Sequence, residues 1–214
     1  SMILALVGQK GGSGKTTVAV AIASEWASKK RRVLLVDTDP QGSARTWGQI
    51  AAEARHPAPT VVSMGTGFHK PEQLPALAQS YDMVVIDSPP RHGELQRSAL
   101  MLADLAILPC GPSSMDAWAL AESVDLVASA QSIRPTLRAV ILITRKVART
   151  VLGAEARKVL AESGLPILET ELGYRVTYQE APAAGLGVTL YAPQSDAARE
   201  IKRLVKELEA YGKA

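Results

Sequence analysis

Short apolar runs alternate with longer segments of helical periodicity along this 214-residue chain. Residues 2–7, 33–37, 60–63 and 81–87, a run starting at Asp104, and 137–144 each bring several apolar residues together between turn signals. Runs of that length read as strands covered on both faces. Between them, 18–28, 44–56, 71–80, 116–131 and 153–163 predict helices, with a further short strand at 166–168. A last helix over 194–211 places Ile201, Leu204, Val205 and Leu208 on one stripe. Alternation of this kind predicts a single α/β domain over 1–214, a mostly parallel twisted sheet with helices on both faces.

The first strand runs directly into Gln9-Lys10-Gly11-Gly12-Ser13-Gly14-Lys15-Thr16-Thr17 and then a helix. Strand, glycine loop and helix N-terminus together form an anion cradle. Glycines let successive N–H groups converge on phosphate, and the helix dipole adds to the attraction. In this P-loop reading Lys15 meets the β- and γ-phosphates, the Thr16 hydroxyl ligates Mg²⁺, and Thr17 adds a phosphate contact. The spacing departs from G-x-x-x-x-G-K-[ST], because position 9 is glutamine and an extra lysine, Lys10, opens the loop.

Two further strands end in carboxylates. Asp37-Thr38-Asp39-Pro40-Gln41-Gly42 follows the second strand, and Asp87-Ser88-Pro89-Pro90 follows the run from Tyr81. In a parallel sheet the strand ends lie on one edge, so these acids fall beside the P-loop. Asp87 then reads as the Walker B acid holding Mg²⁺ through water.

Lys10 gives the loop the form K-G-G-x-G-K-T, and with D-x-D-P-Q-G at 37–42, E-A-P-x-x-G at 180–185 and Y-x-P at 191–193 the chain resembles the ParA/MinD family of deviant Walker A ATPases. The L-I-T-R-K run at 142–146 is similar to that of short, ParF-like plasmid partition proteins. The resemblance implies ATP hydrolysis with Mg²⁺ in an ATP-sandwiched homodimer. Lys10 would contact the phosphates held by the other subunit, Asp39 would orient the attacking water or the metal shell, and Asp37 would support that shell. Pro182 lies in the segment that borders adenine in the family, whereas Thr144 stands where many members carry asparagine. The expected partners are a second copy, nonspecific double-stranded DNA and a ParB-like activator, with the protein cytoplasmic and nucleoid-associated. A cargo of protein organelles or chemosensory clusters, or a MinD-type membrane-surface role, is the alternative.

Charge sharpens the DNA expectation. Residues 1–136 carry 12 basic and 12 acidic side chains, and 137–214 carry 12 and 9, so the surplus is C-terminal. Arg145, Lys146, Arg149, Arg157, Lys158, Arg199, Lys202 and Arg203 are the candidate DNA contacts. The last helix has no Phe or Trp and mixes both signs of charge, which favours docking on the core over membrane binding. A single cysteine, Cys110, excludes an internal disulfide, fits a reducing compartment and reads as a buried thiol. No run approaches the length of a membrane span, and Ser1 ahead of Met2 reads as an added residue.

Overall fold

The structure is a computed structural model that describes residues 1–12, 14–91, 93–147 and 151–212. The apolar runs become β1 (Met2–Leu6), β2 (Val33–Asp37), β3 (Thr60–Ser63), β4 (Met83–Asp87), β5 (Leu105–Cys110) and β6 (Arg138–Ile143). They form one sheet in the order β3-β2-β4-β1-β5-β6, and every neighbouring pair is parallel. Parallel neighbours need long crossovers, and helices supply them. These are α1 (Lys15–Ser28), α2 (Ser43–Ala54), α3 (Leu74–Ala78), α4 (Gly93–Leu102), α5 (Ser114–Ile133) and α6 (Val151–Ala161), followed by α7 (Thr177–Ala183), α8 (Val188–Tyr191) and α9 (Asp196–Tyr211).

The side-chain alternation of each strand divides the core in two. Leu4, Leu6, Leu35, Val85 and Ile107 pack with α1, α2, α7 and α9, while Ala5, Val36, Val84, Ile86 and Leu108 pack with α3, α4 and α5. Ile201, Leu204, Val205 and Leu208 are fully buried in the first layer, where α9 lies against α1. Truncating Leu204 to alanine should therefore cost about 2–5 kcal/mol, seen as a lower urea midpoint at unchanged slope.

Register places the site. Leu6 pairs with Asp87 and Asp37 pairs with Asp87, so both acids and the end of β1 share one edge. β1 is the strand from which the chain departs to either side, through α1 to β2 and, later, from β4 past β1 to β5. Ligand crevices in open parallel sheets form at such a switch point.

Several elements differ from the pattern-based expectation, among them α7 and α8, which it does not single out. The helix expected over 71–80 is confined to Leu74–Ala78, because Gln73 is non-helical and Pro75 opens the first turn. The strand expected at 166–168 reduces to one bridge, Ile141 to Ile167, beside β6. Helix α4 occupies a stretch where the pattern singles out no element. Its inward face carries Gln96 and Ser98, which interrupt the apolar periodicity.

Candidate nucleotide-binding site

The loop after β1 turns on left-handed glycines, Gly12 at φ 72° and Gly14 at φ 95°, with Gly14 capping α1. A Cβ at either would meet nothing within 4 Å, so backbone conformation and not crowding requires glycine there. Ser13 lies outside the described residues, and Gly11 is exposed. Lys15, the first residue of α1, is buried, and its Nζ donates to the Lys10 carbonyl at 3.0 Å. Burial lowers its pKa, while Asp87 and Asp39 act to raise it. A phosphate at this loop would offset that burial by matching a desolvated cation.

The Thr16 hydroxyl donates to Asp87 Oδ2 at 2.7 Å. The other oxygen, Asp87 Oδ1, is buried with no hydrogen-bond partner among the described residues. Burial pushes this carboxyl up to about 7, opposed by the Thr16 hydrogen bond and reinforced by Asp37 and Asp39. A hydroxyl and an unsatisfied buried carboxylate oxygen side by side are hard donors, and they fit Mg²⁺.

Asp37 lies beside Asp87 and also has a structural role in the loop. Both its oxygens accept backbone amides, from Asp39 at 2.9 Å and from Arg45 at 2.8 Å. It fastens the loop to the start of α2, and so sets the position of Asp39. Asp39 is half-buried and accepts the Gln41 amide at 2.9 Å.

A cleft of about 150 Å³ opens beside the loop, between Gly12, Gly14 and Thr17 on one side and Thr144, Tyr174, Arg175, Tyr178 and Gln179 on the other. Thr144 Oγ1 is buried there without a hydrogen-bond partner among the described residues. Pro182 lies inside α7 and is not among the residues lining this cleft, whose far wall comes from 172–179. One carboxylate holds that wall. Glu200 of α9 accepts from Gly173 N at 3.1 Å, Arg175 Nε at 2.7 Å and Tyr178 OH at 2.6 Å. Burial and the adjoining Glu200 carboxylate raise the Tyr178 phenol far above its usual range.

Lys10 bends inward. Its Nζ meets Asp116 Oδ1 at 2.7 Å, and Arg145 Nη2 meets the same oxygen at 3.0 Å. Asp116 also closes a capping box with Ser113 at the start of α5. Burial opposes its ionisation, yet Lys10, Ser113 and Arg145 together hold the carboxyl below its usual range.

Comparison with known proteins matches residues 4–188 to the CobQ/CobB/MinD/ParA nucleotide binding domain. This chain belongs to that family. Relatives include the maintenance of carboxysome distribution protein A of Halothiobacillus neapolitanus, 33% identical over 96% of this chain and 95% of that protein. The chromosome-partitioning ATPase Soj of Thermus thermophilus is 31% identical, covering 97% and 95%. Among solved structures, apo McdA of Cyanothece overlays with a TM-score of 0.79 at 16% identity, covering 97% and 99%. The cell division ATPase MinD of Pyrococcus furiosus gives 0.70 at 20%, covering 98% of each chain. Both are likenesses of fold. As a ParA/MinD-family P-loop protein, the chain is an ATP hydrolase.

In this ParA/MinD-family ATPase the basic C-terminal residues do not form one open patch. Arg145 is drawn to Asp116, and Lys146 and Arg157 both pair with Glu171, Arg157 at 2.7 Å. Arg199 pairs with Asp196. Lys158, Lys202 and Arg203 are exposed and make no ion pair with a described residue, while Arg149 lies outside the described residues. Counting charges along 138–158 finds one acid, whereas folding brings Glu171, Asp196 and Glu200 among the cations. Cys110 is buried, and burial pushes its thiol up to about 11, as expected of an inert thiol. Among the described residues no helix is long and apolar enough to cross a membrane.

Asp116, Glu200 and Tyr174 are the site residues that the motifs miss. The Ser113-x-x-Asp116 spacing flags a helix cap, but nothing local announces the two cations that converge on it.

Proposed function

We propose that this ATPase is a ParA-type partition protein whose Mg²⁺–ATP form is a face-to-face dimer that binds DNA without sequence preference. A centromere-bound activator then stimulates hydrolysis and releases the dimer. The observation that carries the reading is the loop itself, an ordinary phosphate lysine, Lys15, preceded by a second, half-exposed lysine, Lys10, on the same loop. In this scheme Lys15 and the glycine amides bind the phosphates in cis, Thr16 and Asp87 hold Mg²⁺, and Lys10 acts in trans. Asp39, carried on the loop that Asp37 fastens, positions the attacking water. Mg²⁺ supplies charge neutralisation at the phosphate oxygens. The Thr144 hydroxyl and the wall from Tyr174 to Gln179 offer the nucleoside side.

A second reading keeps the cycle and changes the cargo to a protein organelle. It is favoured by the 33% identity to a carboxysome distribution protein. Removing the gene from its host separates the two: plasmid or chromosome loss follows from the first, and mispositioned protein bodies with stable DNA inheritance follow from the second.

DNA binding is tested directly by titrating duplex in ATP, in ADP and without nucleotide across a salt series. Log affinity should fall with log salt at about −0.9 per phosphate contact, and only ATP should give tight binding. The exposed α9 cations should matter most, because they need not surrender an ion pair to reach phosphate. Reversing Lys202, Arg203 and Lys206 to glutamate should weaken binding equally across sequences while basal ATP turnover persists. Equal affinity in all three nucleotide states would remove the DNA reading.

A further inference from the structure

We propose that Asp116 is the intrachain counter-ion that parks the Lys10 ammonium inside its own subunit, and that Arg145 is the cation that takes over when Lys10 leaves to engage a second copy of this chain. The inference rests on the reading above that Lys10 acts across a dimer. It adds a place for that lysine to wait and a reason the wait can end.

The Asp116 side chain is 4% exposed, so its carboxylate is costly to leave uncompensated. Lys10 and Arg145 both converge on Oδ1, at 2.7 and 3.0 Å, whereas Oδ2 is occupied by Ser113, whose amide donates at 3.1 Å and hydroxyl at 2.5 Å. One cation is therefore in surplus. Exposure does not separate them, the Lys10 side chain being 34% and the Arg145 side chain 38% exposed, and Lys10 is the one placed to leave because it is carried on a glycine loop.

Arg145 is seated to remain. Its backbone is left-handed at φ 53°, and its guanidinium lies so close over Gly111 that a Cβ there would stand 2.5 Å from Nη2. Only glycine permits that approach. Arg145 Nε is buried with no hydrogen-bond partner among the described residues. When Lys10 departs, Oδ1 loses one of its two donors, and this N–H is available to replace it with another charge-assisted hydrogen bond. The carboxylate then keeps a full counter-charge, and releasing Lys10 strands no buried anion.

Cis occupancy connects to the release through the Lys10 backbone. Lys15 Nζ donates to the Lys10 carbonyl. A nucleotide that draws Lys15 toward its phosphates withdraws that donor, and so loosens the residue whose side chain Asp116 holds.

Dimerisation of the full chain with Mg²⁺ and a slowly hydrolysed ATP analogue, followed by light scattering over a dilution series, tests the arrangement. Asp116→Asn keeps an acceptor for the Ser113 cap but removes the charge, and should dimerise at about tenfold lower concentration than wild type. Arg145→Gln should dimerise at about tenfold higher concentration, because Lys10 would then abandon a buried carboxylate. The double variant should return to within about threefold of Asp116→Asn, since no anion is left to strand. An Asp116→Asn midpoint at or above wild type, or an Arg145→Gln penalty undiminished when combined with Asp116→Asn, overturns the proposal. If thermal melting shows Asp116→Asn unfolded, Arg145→Gln decides alone, and wild-type dimerisation by it refutes the exchange. Lys10→Ala separates the two levels: dimerisation as in wild type would sink the trans reading itself, whereas its loss together with an unresponsive Asp116→Asn would sink only the parking role.

Discussion

Lys15→Ala is expected to abolish nucleotide binding. The ammonium is buried at the first turn of α1, where the P-loop amides and the helix N-terminus converge, and its desolvation means that water offers it little competition for phosphate. A hydrogen bond to a charged group contributes about 1.5–3 kcal/mol, and a lysine spanning two phosphates makes two or more. The loss is thus at least about a hundredfold in affinity, at about 1.4 kcal/mol per factor of ten. Folding should survive, because alanine is a good helix former and deleting a buried cation removes a desolvation cost. Calorimetric titration with ATP and ADP checks the outcome, with the melting curve as the control for folding. Affinity within about threefold of wild type would mean that the glycine loop is not a phosphate cradle.

Asp39→Ala should separate binding from turnover. Alanine here removes a carboxylate that accepts one loop amide, Gln41 N, but it leaves Asp37 gripping both the residue-39 amide and Arg45 N. The loop should therefore keep its path, and ATP should still bind. A positioned carboxylate that handles the attacking water contributes about 10²–10⁴ in rate, so single-turnover hydrolysis should slow by at least about a hundredfold. The variant should then accumulate in its ATP-bound, dimeric form. A monomer in excess ATP and Mg²⁺ by light scattering would count against the sandwich, and near-normal hydrolysis would move the water-positioning role elsewhere.

The strands were readable because a parallel sheet buries both faces, leaving continuous runs such as Val33–Asp37 and Met83–Asp87. The P-loop and the two acid-bearing strand ends were readable for a related reason, since each function is written in consecutive residues. Helix α4 was not, and the cause is chemical. Gln96 is fully buried because its amide donates to the Gly8 and Pro89 carbonyls, at 3.1 and 2.8 Å, so a polar side chain occupies a core position. Asp116 was hidden by distance along the chain, 106 residues from Lys10. The basic surplus was legible as composition, but its pairing was not, because Glu171 meets both Lys146 and Arg157 only after folding.

The Glu200 clasp bears on the order in which this protein can be completed during synthesis. Gly173, Arg175 and Tyr178 all wait on a carboxylate that lies 22 to 27 residues further along, on a helix that also seals the face of α1. A ribosome that has released the P-loop and every strand has still not delivered the group that fixes the far wall of the cleft. Nascent chains should thus acquire the glycine loop early and that wall only once α9 emerges, leaving an interval in which the parallel sheet is formed and the cleft beside it is open on one side.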